Sequence, residues 1–237
     1  MWRYFINIIF ITAGWVCKLQ AQDTITFPLN YRVGFELIGA SKYFYDKDRA
    51  NIEAYFSADL NEKLSAIIIA GRGNYTYSRY RDESFKMYDF NSKGFYFKTG
   101  VDFNLFNPKK ADGKYSLGVG FRYGITNYSY DMPEVNLENY WGNYQTSIPK
   151  NNTWAHYLEA TPAIRAELIK KLSVGWSISL RKMIATETGK DMKPIYLPGY
   201  GNGTKSIDFA LSYFIIWNFP YKYKKVIIHP KVEEPED

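Results

Sequence analysis

Apolar and polar residues alternate along much of this chain with a period of two. In the segment 93–105, one set of alternate positions is almost wholly apolar, namely Phe95, Phe97, Thr99, Val101, Phe103 and Leu105. The intervening positions carry glycine, polar or charged residues, and the segment 115–126 repeats the arrangement. Because successive side chains of a β-strand point to opposite faces, each segment is predicted to be a strand with one apolar and one polar face. Such a pattern is typical of transmembrane β-barrels, which turn the apolar face toward lipid.

Eight segments of this kind can be placed along the chain. They are predicted at Tyr31–Gly39, Ala50–Leu60, Leu64–Tyr77, Lys93–Leu105, Tyr115–Tyr128, Trp154–Leu168, Leu172–Ile184 and Thr204–Trp217. The connectors after the second, fourth and sixth strands are short, whereas the others are longer, at 40–49, 78–92, 129–153 and 185–203. Bacterial outer-membrane barrels have short periplasmic turns and long extracellular loops. The sequence therefore predicts an all-β fold, an eight-stranded antiparallel up-and-down transmembrane β-barrel with both termini in the periplasm.

Aromatic residues support the same orientation. They make up 19% of the chain, with 22 Tyr and 16 Phe, and many stand at the ends of predicted strands. Girdles of aromatic side chains mark both membrane interfaces of such barrels, although aromatics also favour strands in general. The predicted periplasmic girdle is Trp217, Phe219, Tyr221, Phe103 and Phe106. The predicted extracellular girdle is Tyr75, Tyr77, Tyr128, Tyr130 and Trp154.

The N-terminal residues 1–21 resemble a secretory signal peptide. Arg3 supplies a positive start, and the apolar stretch Ile6–Val16 is too short to span a bilayer comfortably. Leu19-Gln20-Ala21 is an acceptable cleavage site. Cys17, the single cysteine, lies inside this segment, and Val16 before it disfavours lipidation. The mature protein is therefore predicted to contain no cysteine.

The barrel is predicted to occupy residues 22–221, and residues 222–237 a disordered periplasmic tail rich in Pro and Glu. The formal net charge of the chain is +6, without a dense cluster of Lys and Arg. This charge suits contact with anionic lipid headgroups and does not predict binding to nucleic acid.

The signal segment ending in Leu19-Gln20-Ala21-Gln22, together with the Tyr-rich strands, carries a family resemblance. From Gln22 to Tyr221 the chain resembles the small bacterial outer-membrane barrels, the group that includes OmpX and the OmpA membrane domain. It looks most similar to a family of Bacteroidota barrels of unknown function. The resemblance rests on pattern and layout, so it implies a fold and a location in the outer membrane but no biochemical role.

Charged side chains fall on the predicted inner face of the strands. They are Arg32, Glu36, Glu53, Asp59, Lys98, Asp102, Arg122, Glu159, Arg165, Glu167, Arg181 and Asp208. The interior of an eight-stranded barrel is just wide enough for side chains to fill it, and charges buried there must be paired. The set is therefore predicted to be a salt-bridge network that plugs the lumen, with a narrow polar path for ions or protons as the alternative. The consecutive isoleucines Ile67–Ile69 leave the phase of the third strand open.

The sequence offers little support for catalysis. Of the two histidines, His229 lies in the tail and His156 is predicted to face lipid at the outer end of the sixth strand. Some eight-stranded barrels modify lipid A with an outward His and Ser, but no nucleophile is predicted beside His156. No cluster of metal ligands and no phosphate-binding loop is visible. We therefore expect a non-catalytic protein without a metal or cofactor, and a lipid A-modifying enzyme is the alternative.

The loop predicted at residues 129–153 is the best candidate for binding a partner. Its aromatic residues with polar neighbours suit recognition of a glycan or a protein, and they are Tyr130, Tyr140, Trp141 and Tyr144. Basic residues of the outer loops are candidates for contact with lipopolysaccharide phosphates, namely Arg79, Arg81, Lys190 and Lys193. A soluble, lipocalin-like barrel would show the same alternation with inside and outside reversed, so the pattern alone leaves that alternative open.

Overall fold

The computed structural model describes residues 24–83, 85–106, 114–140, 142–187 and 193–227. Eight of its strands form a closed barrel in which every neighbouring pair is antiparallel, in the order β1-β10-β7-β6-β5-β4-β3-β2. The elements are β1 (Thr24–Glu36), α1 (Leu37–Tyr45), a 3-10 turn (Lys47–Arg49), β2 (Asn51–Asp59), β3 (Leu64–Asp82), β4 (Phe85–Asn104), β5 (Tyr115–Asn139), β6 (Gly142–Ile169), β7 (Leu172–Thr186), β8 (Tyr196–Leu197), β9 (Gly201–Asn202) and β10 (Ile207–Ile227). The predicted all-β antiparallel ring of eight strands is confirmed.

The barrel turns most of its apolar residues outward. Phe95 and Phe121 are 63% and 56% exposed, whereas Lys98 and Glu159 are 1% and 2% exposed. The two classes alternate along the strands, as the period of two predicts. A lipocalin-like barrel requires the opposite arrangement, with the apolar face lining a cavity. The structure is therefore inconsistent with that alternative.

The structure also settles the phase of β3. Ile67 and Ile69 are buried inside the barrel, and Ile68 between them is exposed on the outer wall. No helix among the described residues is long and apolar enough to cross a membrane.

A short helix interrupts the wall of the barrel where β1 ends. Glu36 is the last residue of β1 to pair with β10, and its carboxylate accepts hydrogen bonds from the backbone N–H groups of Ile38 (2.8 Å) and Gly39 (2.6 Å). This N-cap starts α1, which contacts both β2 and β10. The predicted first strand, Tyr31–Gly39, is therefore wrong for its last three residues. Alternation alone does not reveal a carboxylate positioned to cap a helix.

The hairpins on the long-loop side extend far beyond the predicted strand ends. β3 and β4 pair up to Asp82 and Phe85, and β5 and β6 pair up to Asn139 and Gly142. The segment 129–153 is thus a β-hairpin, and the prediction of a loop there is wrong. Apolar and polar residues alternate less regularly in these extensions, because both faces of the extended hairpins contact other protein groups or solvent.

At the opposite end, β1 and β10 continue as a two-stranded ribbon. Residues 24–29 pair with residues 222–227, whereas β2 pairs with β1 only from Tyr31 onward. The predicted disordered tail is therefore wrong for residues 222–227, because β1 begins before Tyr31 and gives them a strand partner. Residues 228–237 lie outside the described residues, as do Cys17 and the rest of the predicted signal peptide.

The ribbon is tied to the end of the barrel. A register shift between Leu29 and Asn30 leaves Tyr221 without a pairing partner on β1, and its hydroxyl donates a hydrogen bond to the backbone carbonyl of Asp59. Phe27 and Leu29 are both 4% exposed. The inner face of the ribbon thus packs against the end of the lumen.

Pro162 lies within β6, where a proline predicts a bulge or distorted pairing. Ala160 pairs with Leu180 and Ala163 with Ser177, so the register against β7 is the same on both sides of the proline. The ladder is interrupted without a bulge, since proline has no N–H to donate.

Candidate functional site in the barrel lumen

A cluster of six charged side chains crosses the middle of the lumen. We call it the Glu159 cluster, and it consists of Glu53, Lys98, Asp102, Arg122, Glu159 and Arg181. These side chains come from five strands, β2, β4, β5, β6 and β7. They meet because the inward-facing side chains of all strands share one narrow interior. The cluster holds three acidic and three basic groups, so its formal charges balance.

Glu159 is the centre of this cluster. Its Oε2 atom lies 2.8 Å from Arg181 Nε and 3.3 Å from Lys98 Nζ, and its Oε1 atom lies 3.2 Å from Arg122 Nη1. Thr161 also donates a hydrogen bond to Oε1, at 3.0 Å. One buried carboxylate therefore meets three cations, an arrangement that compensates charges taken out of water.

The outer members of the cluster complete the pairing. Glu53 accepts from Lys98 at 3.1 Å and from the Tyr96 hydroxyl at 2.9 Å. Arg122 reaches Asp102 through Nη2 at 3.2 Å. The predicted salt-bridge arrangement is thus seen for these six residues, whose mutual contacts depend on the register of five strands.

The other predicted lumen charges serve different purposes. Arg32 and Asp59 form a separate bidentate pair, with Nη2 to Oδ2 at 2.5 Å. Glu36 caps α1, Asp208 accepts from the backbone N–H of Asn202 at 3.0 Å, and Glu167 accepts from that of Lys171 at 3.4 Å. The structure therefore does not gather all twelve residues into one network.

A cavity lies between the Glu159 cluster and the short turns. Its volume is about 90 Å³, and its charged lining residues are Arg32, Asp59, Glu62, Asp102, Arg122 and Arg165. Phe27 of the ribbon lines the same cavity. The Nε atom of Arg165 is buried without a hydrogen-bond partner among the described residues. The lumen thus keeps an open space beside an unsatisfied guanidinium donor.

A tyrosine-rich core fills the opposite, outer end of the lumen. We call it the cap core, and it comprises Phe90, Tyr128, Tyr130, Met132, Ala155, Tyr157, Leu197 and Tyr200. Tyr128 and Tyr130 are each 1% exposed, so the prediction that they belong to an outer girdle is wrong. They share the inward phase of Arg122 on β5, which directs them into the barrel. For the same reason Tyr130 is not an exposed binding residue.

The connector between β7 and β10 enters the mouth of the barrel. Its stretch 193–206 contains the small β8–β9 hairpin, and we call this stretch the plug loop. The Tyr157 hydroxyl donates to the carbonyl of Gly199 at 3.0 Å, and Arg181 Nη1 donates to the carbonyl of Tyr200 at 2.9 Å. Gly199 adopts a φ of +77°, and a Cβ there would meet the ring of Tyr96.

The alternating pattern predicts the plug loop only as one more exterior connector. The run Leu197-Pro198-Gly199-Tyr200-Gly201 is the available signal, because Pro and Gly at successive positions mark tight turns rather than an open loop. This run does not reveal that Tyr157 and Arg181 lie within hydrogen-bonding distance of its backbone carbonyls.

The predicted binding residues that remain exposed lie at the long-connector end of the barrel. Tyr140 and Tyr144 are 92% and 60% exposed, whereas Trp141 lies outside the described residues. Arg81 forms ion pairs with Glu138 and Asp82, Arg79 and Lys193 are exposed, and Lys190 lies outside the described residues. The two exposed aromatic residues of the predicted binding set, Tyr140 and Tyr144, are therefore both near the tip of the β5–β6 hairpin.

Ion pairs join the two outer hairpins. Lys86 on β4 contacts Asp89 on its own strand and lies 3.1 Å from Glu134 on β5. Hydrogen bonds from Asn136 and Lys86 lower the pKa of Glu134, and bonds to Asp89 and Glu134 raise the pKa of Lys86. Both shifts favour the charged pair at neutral pH.

His156 lies on the outer wall beside one aromatic partner. Its Nδ1 atom is 2.6 Å from the Tyr123 hydroxyl. Among the residues the structure describes, no group of three or more His, Cys, Asp and Glu side chains is placed to hold a metal ion.

Comparison with known proteins gave a family and distant structural similarities. A family model described as a domain of unknown function (DUF6048) matches residues 1–225. No curated protein matches the chain. The structure is similar to crystal structures of CarO and CarO2 from Acinetobacter baumannii, at 12% and 13% identity and a TM-score of 0.38 for both. The alignments cover 82% and 83% of this chain, and 98% and 99% of CarO and CarO2 respectively.

Proposed function

We propose that this chain, which belongs to the DUF6048 family, is an integral β-barrel protein of a bacterial outer membrane. The observation that carries the proposal is the outward row of apolar side chains on a closed barrel with charged groups inside. On β7, the outward positions from Leu172 to Leu180 are all apolar, and Lys182 follows them. That length is about the 9–11 residues with which a tilted strand crosses a bilayer.

The two ends of the barrel support its orientation. At the short-turn end, exposed aromatics stand at interface level, namely Phe103, Phe106, Trp217, Phe219 and Tyr221. At the other end, Arg72 and Lys182 are exposed on the outer wall, at a level where polar lipid headgroups would surround their charged side chains. We accordingly place the short turns in the periplasm and the long hairpins outside the cell.

The lumen supports a structural or surface-interaction role rather than transport. The Glu159 cluster and the cap core occupy successive levels of the interior, and the plug loop enters its mouth. Partners would then meet the long-connector end of the barrel, with a glycan or protein at the tip of the β5–β6 hairpin near Tyr140 and Tyr144, and lipopolysaccharide phosphates at Arg79 of β3 and Lys193 of the plug loop. We infer no catalytic activity for this arrangement.

Membrane fractionation with heat-modifiable gel mobility tests the proposal. The mature protein should fractionate with the outer membrane, and it should migrate faster in an unheated gel sample than after boiling, because a closed barrel resists detergent unfolding. Recovery of the protein in the detergent-free soluble fraction would overturn the membrane assignment. A folded protein in the inner membrane fraction would overturn the location alone.

A further inference from the structure

We propose that the cavity at the short-turn end of the lumen binds a small oxoanion, a phosphate or carboxylate group, with Arg165 as its main cationic contact. This inference adds a ligand site to a lumen that the proposed function treats as filled. It depends on how the charges lining the cavity are paired.

Each acidic residue of the cavity already has a cationic partner. Asp59 is paired with Arg32, and Asp102 with Arg122. The Oε2 atom of Glu62, in the turn between β2 and β3, lies 2.7 Å from Nζ of Lys224 in the ribbon. The acidic side chains around the cavity are therefore committed to other cations.

Arg165 is the cation that remains. Among the described residues it has no ion pair, and its buried Nε atom lacks a hydrogen-bond partner. Arg32 and Arg122 line the same cavity, but their ion pairs with Asp59 and Asp102 compensate their charges, so Arg165 carries the charge that is left over. A cation held inside a barrel without a counter-ion is costly, and an anion entering the cavity would supply the missing charge.

The cavity has the size and the donors for such a ligand. One water molecule needs a cavity volume of about 10–15 Å³. The volume of about 90 Å³ found here therefore accommodates a small oxoanion with some water. The guanidinium group offers paired N–H donors that match the oxygens of phosphate and carboxylate. The hydroxyl-bearing residues Ser116 and Ser177 also line the cavity. Together these groups form a site with cationic and neutral donors.

The test is a phosphate titration of the folded protein in zwitterionic detergent. Inorganic phosphate would replace chloride, which is not an oxoanion, at constant ionic strength, while unfolding is followed by heat-modifiable mobility. We expect the midpoint temperature of the wild-type protein to rise with phosphate and then to saturate. Arg165→Gln should weaken the apparent affinity at least tenfold, and the matched control Arg49→Gln, in the exposed 3-10 turn after α1, should respond as the wild type does.

The outcomes separate a bound anion from trapped water. A wild-type protein that shows no saturable response, or an Arg165→Gln variant that responds equally, would overturn the proposal. If Arg165→Gln does not fold, calorimetric titration of phosphate into the wild type decides the question, and Arg165→Lys, which keeps the charge, should bind more weakly than wild type.

A further arm identifies the source of the anion. Phosphatidylglycerol added to the micelles should compete with inorganic phosphate if a lipid headgroup occupies the cavity. Lack of competition, with phosphate binding retained, assigns the site to a soluble oxoanion from the side of the short turns. Both results support the shared oxoanion chemistry, and absence of phosphate binding in micelles without phosphatidylglycerol overturns it.

Discussion

Glu159 carries more of the lumen's electrostatic balance than any other single residue described. It contacts Lys98, Arg122 and Arg181, and only two other carboxylates, those of Glu53 and Asp102, remain in the cluster. Removing one partner of a buried ion pair is more costly than the pair itself is worth, because the remaining charges stay buried. The balance of the cluster therefore depends on this one side chain.

We expect Glu159→Gln to destabilise the barrel by about 3–5 kcal/mol, because three buried cations would then share two carboxylates. Urea unfolding from detergent micelles or phospholipid vesicles measures the change. Glu167→Gln is the matched control, since that carboxylate is less buried and makes one 3.4 Å hydrogen bond to a backbone N–H. Equal stability of the two variants would contradict a central role for Glu159.

The plug loop is the element that distinguishes this barrel from one with simple exterior loops. Leu197 and Tyr200 are fully buried, and Ser92 on β4 donates a hydrogen bond to the carbonyl of Tyr196 at 2.9 Å. Backbone carbonyls of the loop thus accept hydrogen bonds from side chains of the barrel wall. Its position depends on a close approach at Gly199 that larger residues do not permit.

Gly199→Val should release the plug loop while the barrel remains closed. The φ of +77° disfavours a β-branched residue, and the added side chain would meet Tyr96. Chymotrypsin should then cleave after Tyr196 or Tyr200, with heat-modifiable mobility retained. Gly142→Val is the control, because Gly142 also has a positive φ but has open space within 4 Å of the position a Cβ would take. Equal resistance of both variants to cleavage would count against the packing of this loop.

The outer hairpins form a second element whose stability depends on pH. The pKa of Glu134 is lower in the folded protein than its ordinary value of 4.5. The stability that ionised Glu134 contributes is therefore fully present above pH 4.5, and it is lost as the pH falls through the lowered pKa. The raised pKa of Lys86 keeps its charge throughout that range. Acidification should therefore loosen the contact between β4 and β5 outside the membrane.

Hydrogen exchange, corrected for its intrinsic pH dependence, measures this effect. Protection of residues 85–90 and 131–137 should fall below about pH 4.5 in the wild-type protein. Lys86→Met should show weaker protection already at neutral pH and a smaller further change on acidification. Unchanged protection of the wild type across this range would show that the ion pairs do not hold the hairpins together.

For the whole molecule, the central question is what covers the outer wall. Ile178 lies near the middle of the outward apolar stretch of β7 and is 55% exposed. Ile178→Arg should cost about 2–4 kcal/mol, the penalty for a cation at the bilayer midplane. Tyr144→Arg, at an exposed position of the outer β5–β6 hairpin, should fold normally.

Folding into phospholipid vesicles compares these two variants. The loss of folded, heat-modifiable protein should be specific to Ile178→Arg. If both variants insert equally well, hydrocarbon does not contact Ile178, and the proposed membrane span would have to be abandoned.

The amino-acid sequence by itself determined the eight strands of the barrel wall, their antiparallel order and, for most residues, the face of the wall on which they lie. The face follows from a local period of two, as the inward Arg122 and the outward Phe121 illustrate, and the order follows from the alternation of short and long connectors. The tertiary structure decided which inward charges meet at Glu159, that Arg165 is left without an ion-pair partner among the described residues, and that residues 193–206 enter the lumen. It also decided where β1 gives way to α1. The physical reason is that alternation within one strand excludes a register slip of one residue but not of two, whereas partner choice depends on the exact register between strands and on packing across the barrel.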